Sequence, residues 1–459
     1  MIENGYAGKR MLIAGAARSG IAAAEFLLGR GATVILTDTR SEDELQPALG
    51  PLRIKAGEGR LLLELGGHRL ETFSKCEMVV VSPGVPLSLP CLEVSRSSGI
   101  PVIAEVELAF RHLKGRILGI TGSNGKTTTT VLVNEMLRSA GLRSYAAGNI
   151  GVPLISLAAA STCEDFYATE LSSFQLEGID RFRPAIAALL NLTPDHMDRY
   201  PGFEAYAAAK RRIFMNQGPG DFAVLNTDDP AVASLCADVK STPFYFSQST
   251  APDRGSYVKE GRINYRDGST EKELFSVEDI QLRGSHNLEN VLAASTVAML
   301  AGVPCRHLRE AIRGFSGVEH RLERVAEIDG VEYFNDSKAT NVDAAAKSLR
   351  AFSGGIHLIA GGRDKGADFT ALRDIVRERV KQLVLLGEAA GKIRDALAGT
   401  ARTVPAADMR EAVETCRKAA SAGDVVLLAP ACASFDMFEN YEHRGRVFKE
   451  IVRTLMSGN

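Results

Sequence analysis

The segment GITGSNGKTTT, Gly119 to Thr129, sets two glycines, a lysine and a run of threonines at the spacing that cradles a triphosphate. Gly122 and Gly125 let backbone N–H groups curl round a phosphate, Lys126 brings a point charge to the β and γ oxygens, and Thr127 offers a hydroxyl to Mg²⁺. The strict pattern has a glycine five residues before Gly125, where this chain has Ile120. A glycine-rich turn with an unrelated lysine is the plain alternative. What flanks the loop argues against it: a strand-like RILGITG before it, and after it a helix pattern with Val131, Leu132, Met136 and Leu137 on one face. ATP is the expected nucleotide.

Two further segments carry groups suited to the same chemistry. TELSSFQLE, Thr169 to Glu177, follows a strand-like FYAT and places Glu170 at a strand's carboxyl end, where a carboxylate suits Mg²⁺. An ordinary acidic loop residue is the equal alternative. NLTPDHMDRY puts His196 between two aspartates, which alone reads as a polar turn histidine. In the following helix, expected over Phe203 to Asn216, Lys210 falls inside the apolar stripe of Phe203, Tyr206, Ala207, Ile213 and Phe214. A lysine there must snorkel, find a carboxylate or lose its charge. A neutral amine could take up CO₂ as a carbamate and hold a second metal ion.

The C-terminal third holds HRLE (His320 to Glu323), NDSKATN (Asn335 to Asn341), GGRDKGADF (Gly361 to Phe369) and PACASFDMFENYEHRG (Pro430 to Gly445). Each reads singly as a solvated loop. Together, at one edge of a sheet, Lys338, Thr340, Lys365 and Ser434 form a candidate pocket for a small carboxylate. At the N-terminus, GAARSG has Ala17 where a dinucleotide fingerprint has glycine, which disfavours NAD. Asp38, Thr39 and Arg40 could still hold a nucleotide, and Ser82 and Gly84 a diphosphate. A nucleotide-free scaffold is the alternative.

The elements that must position these groups alternate strand and helix along 459 residues, a length that suggests about three domains. RMLIAGAA, TVILTD and MVVVSPGVP are short buried strands of a Rossmann-like sheet, with a helix over Ser19 to Gly29. A second α/β unit runs from the phosphate loop through DFAVLN to a helix over Asn287 to Leu300, with hairpins or loops between Gln248 and Glu273. A third repeats VEYFN, IHLIAGG, QLVLLG and VVLLAP as parallel strands. The expected fold is α/β in three domains: 1–104, 105–318 around the phosphate loop, and 319–459. The net charge of −2 argues against a nucleic-acid or membrane-surface binder. Seven scattered cysteines without a CxxC pair fit reduced thiols, and no stretch reaches membrane-spanning length. A soluble, cytoplasmic monomer is expected.

GSNGKTTT, ELSSFQLE, DHMDRY, NDSKATN and PACASFDMFENYEHRG, in that order, resemble the Mur ligase family along the whole chain. The resemblance implies an ATP-dependent ligase that joins the carboxylate of UDP-N-acetylmuramoyl-L-alanine to the amine of D-glutamate through an acyl phosphate, in peptidoglycan precursor synthesis. It implies ATP on Gly122, Ser123, Asn124, Gly125, Lys126, Thr127 and Thr128, with Asn287, Asn290, Arg321 and Asp336. Two Mg²⁺ ions are implied, one on Thr127 and Glu170 and one on His196 and carbamylated Lys210. The UDP substrate would meet Arg18, Ser19, Asp38, Thr39, Arg40, Ser82, Gly84, Asn149 and His196. D-Glutamate would meet Lys338, Thr340, Lys365, Ser434 and Phe435. Lys126, Glu170, His196 and Lys210 are the candidate catalytic residues, and domain closure with hinges near Ala104 and Val318 is expected.

Overall fold

The computed structural model describes residues 5–56, 59–195, 197, 199–282, 284–364 and 366–456. They form two compact units, the chain crossing between them after Asp279, Asn287 and Ile312. The larger unit holds two sheets and the smaller one a third.

The first sheet is parallel throughout, in the order Leu61–Leu65, Thr33–Asp38, Arg10–Ala14, Met78–Val81, Val102–Ala104. The helix Arg18–Gly29 returns the chain between the first two strands of the sequence and buries Ala23, Ala24, Leu27 and Leu28. It packs close at its start: a Cβ on Gly20 would sit 1.8 Å from the Gly15 carbonyl oxygen. Only glycine permits that approach.

The junction to the second sheet is stitched by two buried carboxylates on the short helix Glu105–Phe110. Glu107 Oε2 accepts from the backbone N–H groups of Asp180, Arg181 and Phe182 at 2.8–2.9 Å, and its Oε1 accepts from Arg111 Nε at 2.8 Å. Glu105 Oε1 accepts from the N–H of Ile155 at 2.7 Å, while Oε2 is buried without a hydrogen-bond partner among the described residues. Burial raises the Glu105 pKa to about 7, against the pull of that N–H.

The second sheet has nine strands, and its parallel part runs Thr242–Ser247, Phe222–Asn226, Ile186–Leu189, Arg116–Thr121, Phe166–Glu170, Ser144–Gly148. The polar stretch after Gln248 resolves into an antiparallel meander, Arg254–Lys259, Arg262–Asp267 and Thr270–Ser276, on the edge of this sheet. In the smaller unit the order is Glu323–Ile328, Val331–Asn335, Val425–Leu428, Ile356–Gly361, Val380–Leu386, Arg402–Pro405. All neighbours are parallel except the first pair.

The helix expected over Phe203 to Asn216 ends at Arg211 and tightens into a 3₁₀ turn, Arg212–Phe214. Arg212 explains the ending: its side chain donates to the carbonyls of Leu176 and Ile179 at 2.7 and 2.8 Å, ties that hold the turn against the short helix Ser173–Glu177 and the loop after it. All seven cysteines are free, and among the described residues no helix is long and apolar enough to cross a membrane.

Candidate active site

Strand Arg116–Thr121 runs into the loop 122–125, and the helix Lys126–Ser139 starts directly after it. Ile120, out of place in the strict pattern, lies in the strand opposite Glu170 and is fully buried, so the strand extends where other loops begin. Gly125 caps the helix at φ 82°, and a Cβ there would fall 2.1 Å from Asn290 Oδ1. That position therefore needs glycine both for its left-handed backbone and for the approach of Asn290. Thr129 Oγ1 donates to the same oxygen at 3.4 Å.

The loop is held open by groups from the next strand end. Asn191 Oδ1 accepts from the N–H of Asn124 at 2.8 Å, and its amide donates back to the Asn124 carbonyl at 3.2 Å. Ser123 Oγ donates to the Thr193 carbonyl at 2.9 Å and accepts from the Tyr206 hydroxyl at 3.1 Å. Sequence reading passed over Asn191 and treated Tyr206 as part of an apolar stripe. The only sequence signal for Asn191 is an amide directly after a buried strand.

Two amines converge on the loop's backbone. Lys126 Nζ donates to the carbonyls of Gly122 and Ser123, both at 2.9 Å, and Lys210 Nζ donates to the Gly122 carbonyl at 2.9 Å. Lys210 is 2% exposed, and its Nζ lies 4.6 Å from the centre of the Tyr206 ring. It therefore does not snorkel, and among the described residues it forms no ion pair with a carboxylate. Burial, reinforced by the charge of Lys126, holds its pKa well below the ordinary lysine range, against the opposing pull of Asp195 and Glu170.

Glu170 ends its strand with both oxygens engaged. Oε2 accepts from Thr127 Oγ1 at 2.6 Å and Oε1 from Asn149 Nδ2 at 2.8 Å. The Thr127 hydroxyl and the Glu170 carboxylate are the hard oxygen pair that suits Mg²⁺. Among the described residues no group of three or more His, Cys, Asp or Glu side chains gathers into a metal-holding cluster. His196 lies outside the described residues. Thr128 is buried on the first helical turn.

Asn149 also lines a cleft of about 100 Å³ with Arg18, Ser19, Pro83, Gly148, Gly151 and Gln175. The structure thus brings Arg18, Ser19 and Asn149 together, and the Arg18 guanidinium donates to the Gly151 carbonyl. Asp38, Thr39, Arg40, Ser82 and Gly84 do not line it. Asp38 accepts from the N–H of Ala16 at 2.7 Å and from both the backbone and the guanidinium of Arg40 at 2.9–3.0 Å. Burial works against its ionisation, but these bonds win and lower its pKa to about 2. Ser82 Oγ donates to the Gly15 carbonyl at 2.8 Å. Thr39 and Gly84 are exposed.

In the smaller unit the sheet's carboxyl edge carries the remaining residues. Asp336 accepts from Ser348 Oγ, and burial raises its pKa to about 6 in spite of that bond and of Arg321 nearby. Lys338 Nζ lies 3.8 Å from the centre of the Tyr441 ring. Thr340 is half-buried, and its N–H donates to the Lys338 carbonyl at 2.8 Å. Ser434 is 1% exposed with its hydroxyl unpaired among the described residues, and Phe435 is 60% exposed. Asn287 is buried and belongs to this unit. Lys365 lies outside the described residues.

Arg444 binds these loops together and was not singled out from sequence. It is 2% exposed, donates to Ser337 Oγ and the Ser337 carbonyl at 2.9 Å, and reaches the carbonyls of Cys432 and Ala433 at 3.2 and 3.3 Å. Burial lowers its pKa to about 10, which leaves it charged at neutral pH.

A phosphate loop between a parallel strand and a helix, with a buried lysine bonded to its backbone, defines a P-loop nucleotide-binding domain of the α/β class. The matches to known proteins agree. Family models described as Mur ligase MurD-like N-terminal domain, Mur ligase middle domain, and Mur ligase glutamate ligase domain match residues 9–104, 120–298 and 320–432. A UDP-N-acetylmuramoylalanine–D-glutamate ligase from Koribacter versatilis is 49% identical over 98% of each chain. One of the same name from Acidobacterium capsulatum is 50% identical over 97% of this chain and 96% of its own. Among solved structures, the UDP-N-acetylmuramate-alanine ligase of Thermotoga maritima shares the fold at a TM-score of 0.60 and 17% identity, covering 98% of this chain and all of its own. The chain belongs to the Mur ligase family.

Proposed function

We propose that this chain joins D-glutamate to UDP-N-acetylmuramoyl-L-alanine, converting ATP to ADP and phosphate, in the cytoplasmic synthesis of peptidoglycan precursors. Full-length identity of about half to relatives named for that reaction supports the substrates. The observation that carries the chemistry is Lys210, buried and bonded to the carbonyl of Gly122 within the phosphate loop. The domains are assigned as 1–104 for the UDP end, 105–318 for ATP and 319–459 for the amino acid, in a chain acting as a monomer.

A carboxylate does not react with an amine at neutral pH, because oxide would have to leave. Transfer of the γ-phosphoryl to the carboxylate oxygen gives an acyl phosphate, from which phosphate can leave when the amine attacks. The first step brings two anions together. At about 4 Å, two unit charges repel by about 4 kcal/mol even at an effective dielectric near 20. Lys126 offsets that repulsion, swinging from the loop carbonyls to the phosphate oxygens, and the loop N–H groups hold the triphosphate in line.

Thr127 and Glu170 would hold one Mg²⁺, and His196 with Lys210 a second. When bound, these ions neutralise charge developing on the transferred phosphoryl group. The Lys210 amine is suited to carbamylation: a neutral amine adds to CO₂, forms an N–C bond and releases one proton, leaving an anionic carbamate in place of a neutral group. ATP is assigned to residues 122–128 with Asn287, Asn290, Arg321 and Asp336. The UDP substrate is assigned to Arg18, Ser19 and Asn149 in the cleft, with Asp38, Thr39, Arg40, Ser82, Gly84 and His196. Lys338, Thr340, Lys365, Ser434 and Phe435 are assigned to D-glutamate, and His196 is the candidate base for its amine.

The test is ADP release with UDP-N-acetylmuramoyl-L-alanine and ATP, comparing D-glutamate with L-glutamate and other amino acids. Turnover with D-glutamate alone is expected. Turnover with a different amino acid, or none with D-glutamate, would overturn the assignment.

A further inference from the structure

Arg199 sits where the two sheets of the larger unit meet, and neither the phosphate chemistry nor the cleft lining uses it. Its guanidinium donates to the carbonyl of Pro83, in the turn after the first sheet's strand Met78–Val81, at 3.3 Å. The same group lies 3.8 Å from the centre of the Phe174 ring. Phe174 stacks on Tyr200, with centroids 5.9 Å apart and planes within 8°. Tyr200 meets Tyr206 edge to face at 5.4 Å. Tyr206 donates to Ser123 in the phosphate loop at 3.1 Å, and its ring faces the Lys210 amine at 4.6 Å.

One unbroken series of contacts therefore joins a wall of the UDP cleft, Pro83, to the phosphate loop and to the buried lysine. Its middle is packed and apolar: Tyr200 and Tyr206 are 8% and 1% exposed and form a cluster with Ala209 and Phe174. Phe174 also lies on the short helix Ser173–Glu177, whose Gln175 lines the cleft and closes a capping box with Ser172. A planar cation suits this position, because it donates at its edge to Pro83 while its face stacks on the ring.

We propose that Arg199 is a positioning residue that couples occupancy of the UDP cleft to the geometry of the phosphate loop, through Phe174, Tyr200 and Tyr206. The inference rests on the functional reading above for the identity of the cleft's ligand. Packed aromatic contacts resist gradual deformation, so a shift of Pro83 on substrate binding is transmitted to Ser123. Coupling of this kind is reciprocal: the UDP substrate tightens the nucleotide by the factor by which the nucleotide tightens the UDP substrate.

The test is calorimetric binding of a non-hydrolysable ATP analogue to the full chain, with and without saturating UDP-N-acetylmuramoyl-L-alanine. The unsubstituted protein is expected to bind the analogue at least about fivefold more tightly in its presence. In Arg199→Ala the factor falls below about twofold, while affinity for the analogue alone changes little. Phe174→Leu, which keeps apolar bulk but removes the ring face, gives the same loss. Arg199→Lys keeps the charge without the flat face and falls between. Coupling retained in both Arg199→Ala and Phe174→Leu would overturn the proposal, as would no coupling in the unsubstituted protein. Failure of the UDP substrate to bind the unsubstituted protein would instead overturn the functional reading, and the proposal with it.

Discussion

Around the phosphate loop the key side chains are bonded to one another, whereas at the strand ends of the smaller unit Ser434 is buried with its hydroxyl unpaired and Phe435 stands 60% exposed. Lys126 and Lys210 share the carbonyl of Gly122, and Thr127 and Asn149 occupy the two oxygens of Glu170. The first region is organised by its own hydrogen bonds, so a nucleotide exchanges partners there. The second keeps a polar group in reserve, which an unpaired buried hydroxyl does at a cost of about 1–3 kcal/mol. Loss of a side chain should therefore damage folding and catalysis together in the first region, and binding alone in the second.

The largest expected effect is at the amines. Lys210→Ala should lower kcat by about a thousandfold or more, with partial rescue by acetate or another small carboxylate. Full activity without rescue would remove the carbamate from the account. Lys126→Ala should cost a similar factor without such rescue, because it supplies a cation and not an anion.

Next comes Thr127→Val, which leaves Glu170 Oε2 buried without its 2.6 Å donor. It should lose about 1–3 kcal/mol of stability in denaturant titration as well as most of its activity. Ser434→Ala provides the contrast. It removes a buried hydroxyl that no described group uses, so stability should hold or rise by up to about 1–3 kcal/mol while the KM for D-glutamate rises several-fold more than that for ATP. Equal effects on both KM values would place Ser434 outside the amino-acid pocket.

The last effect, on stability and not on turnover, is its pH dependence. The Glu105 pKa is raised in the fold to about 7, so its neutral form is favoured. Below the unfolded-state pKa, near 4.3, the group does not oppose folding; as pH rises from there through 7 it increasingly does, because the unfolded state ionises first. Glu105→Gln should flatten that decline in melting temperature between about pH 4.5 and 7 while keeping an acceptor for Ile155. An unchanged slope would show that another group is responsible.

Much of this site was legible in sequence because its parts are local. The loop, the strand before it and the helix after it fall within one short segment, and Glu170 follows a recognisable strand. Lys210 was legible as a buried-face lysine from helical spacing, but its partner was not. The Gly122 carbonyl is 88 residues away, and no periodicity reports a backbone acceptor. The same limit hid Asn191 and Arg444, whose contacts join loops distant along the chain. The helix past Arg211 was overread because apolar spacing continues into Ile213 and Phe214, which stay buried in a 3₁₀ turn. For the N-terminal sheet, the strand pattern gave the fold, but not that Asp38 is committed to Ala16 and Arg40.

The central claim is that the phosphate loop activates a carboxylate by phosphorylating it, and oxygen isotope transfer tests this directly. UDP-N-acetylmuramoyl-L-alanine labelled with ¹⁸O in its terminal carboxylate, incubated with ATP, D-glutamate and the protein, should yield phosphate carrying one ¹⁸O atom for each amide formed. Amide formation accompanied by unlabelled phosphate would contradict the acyl-phosphate route.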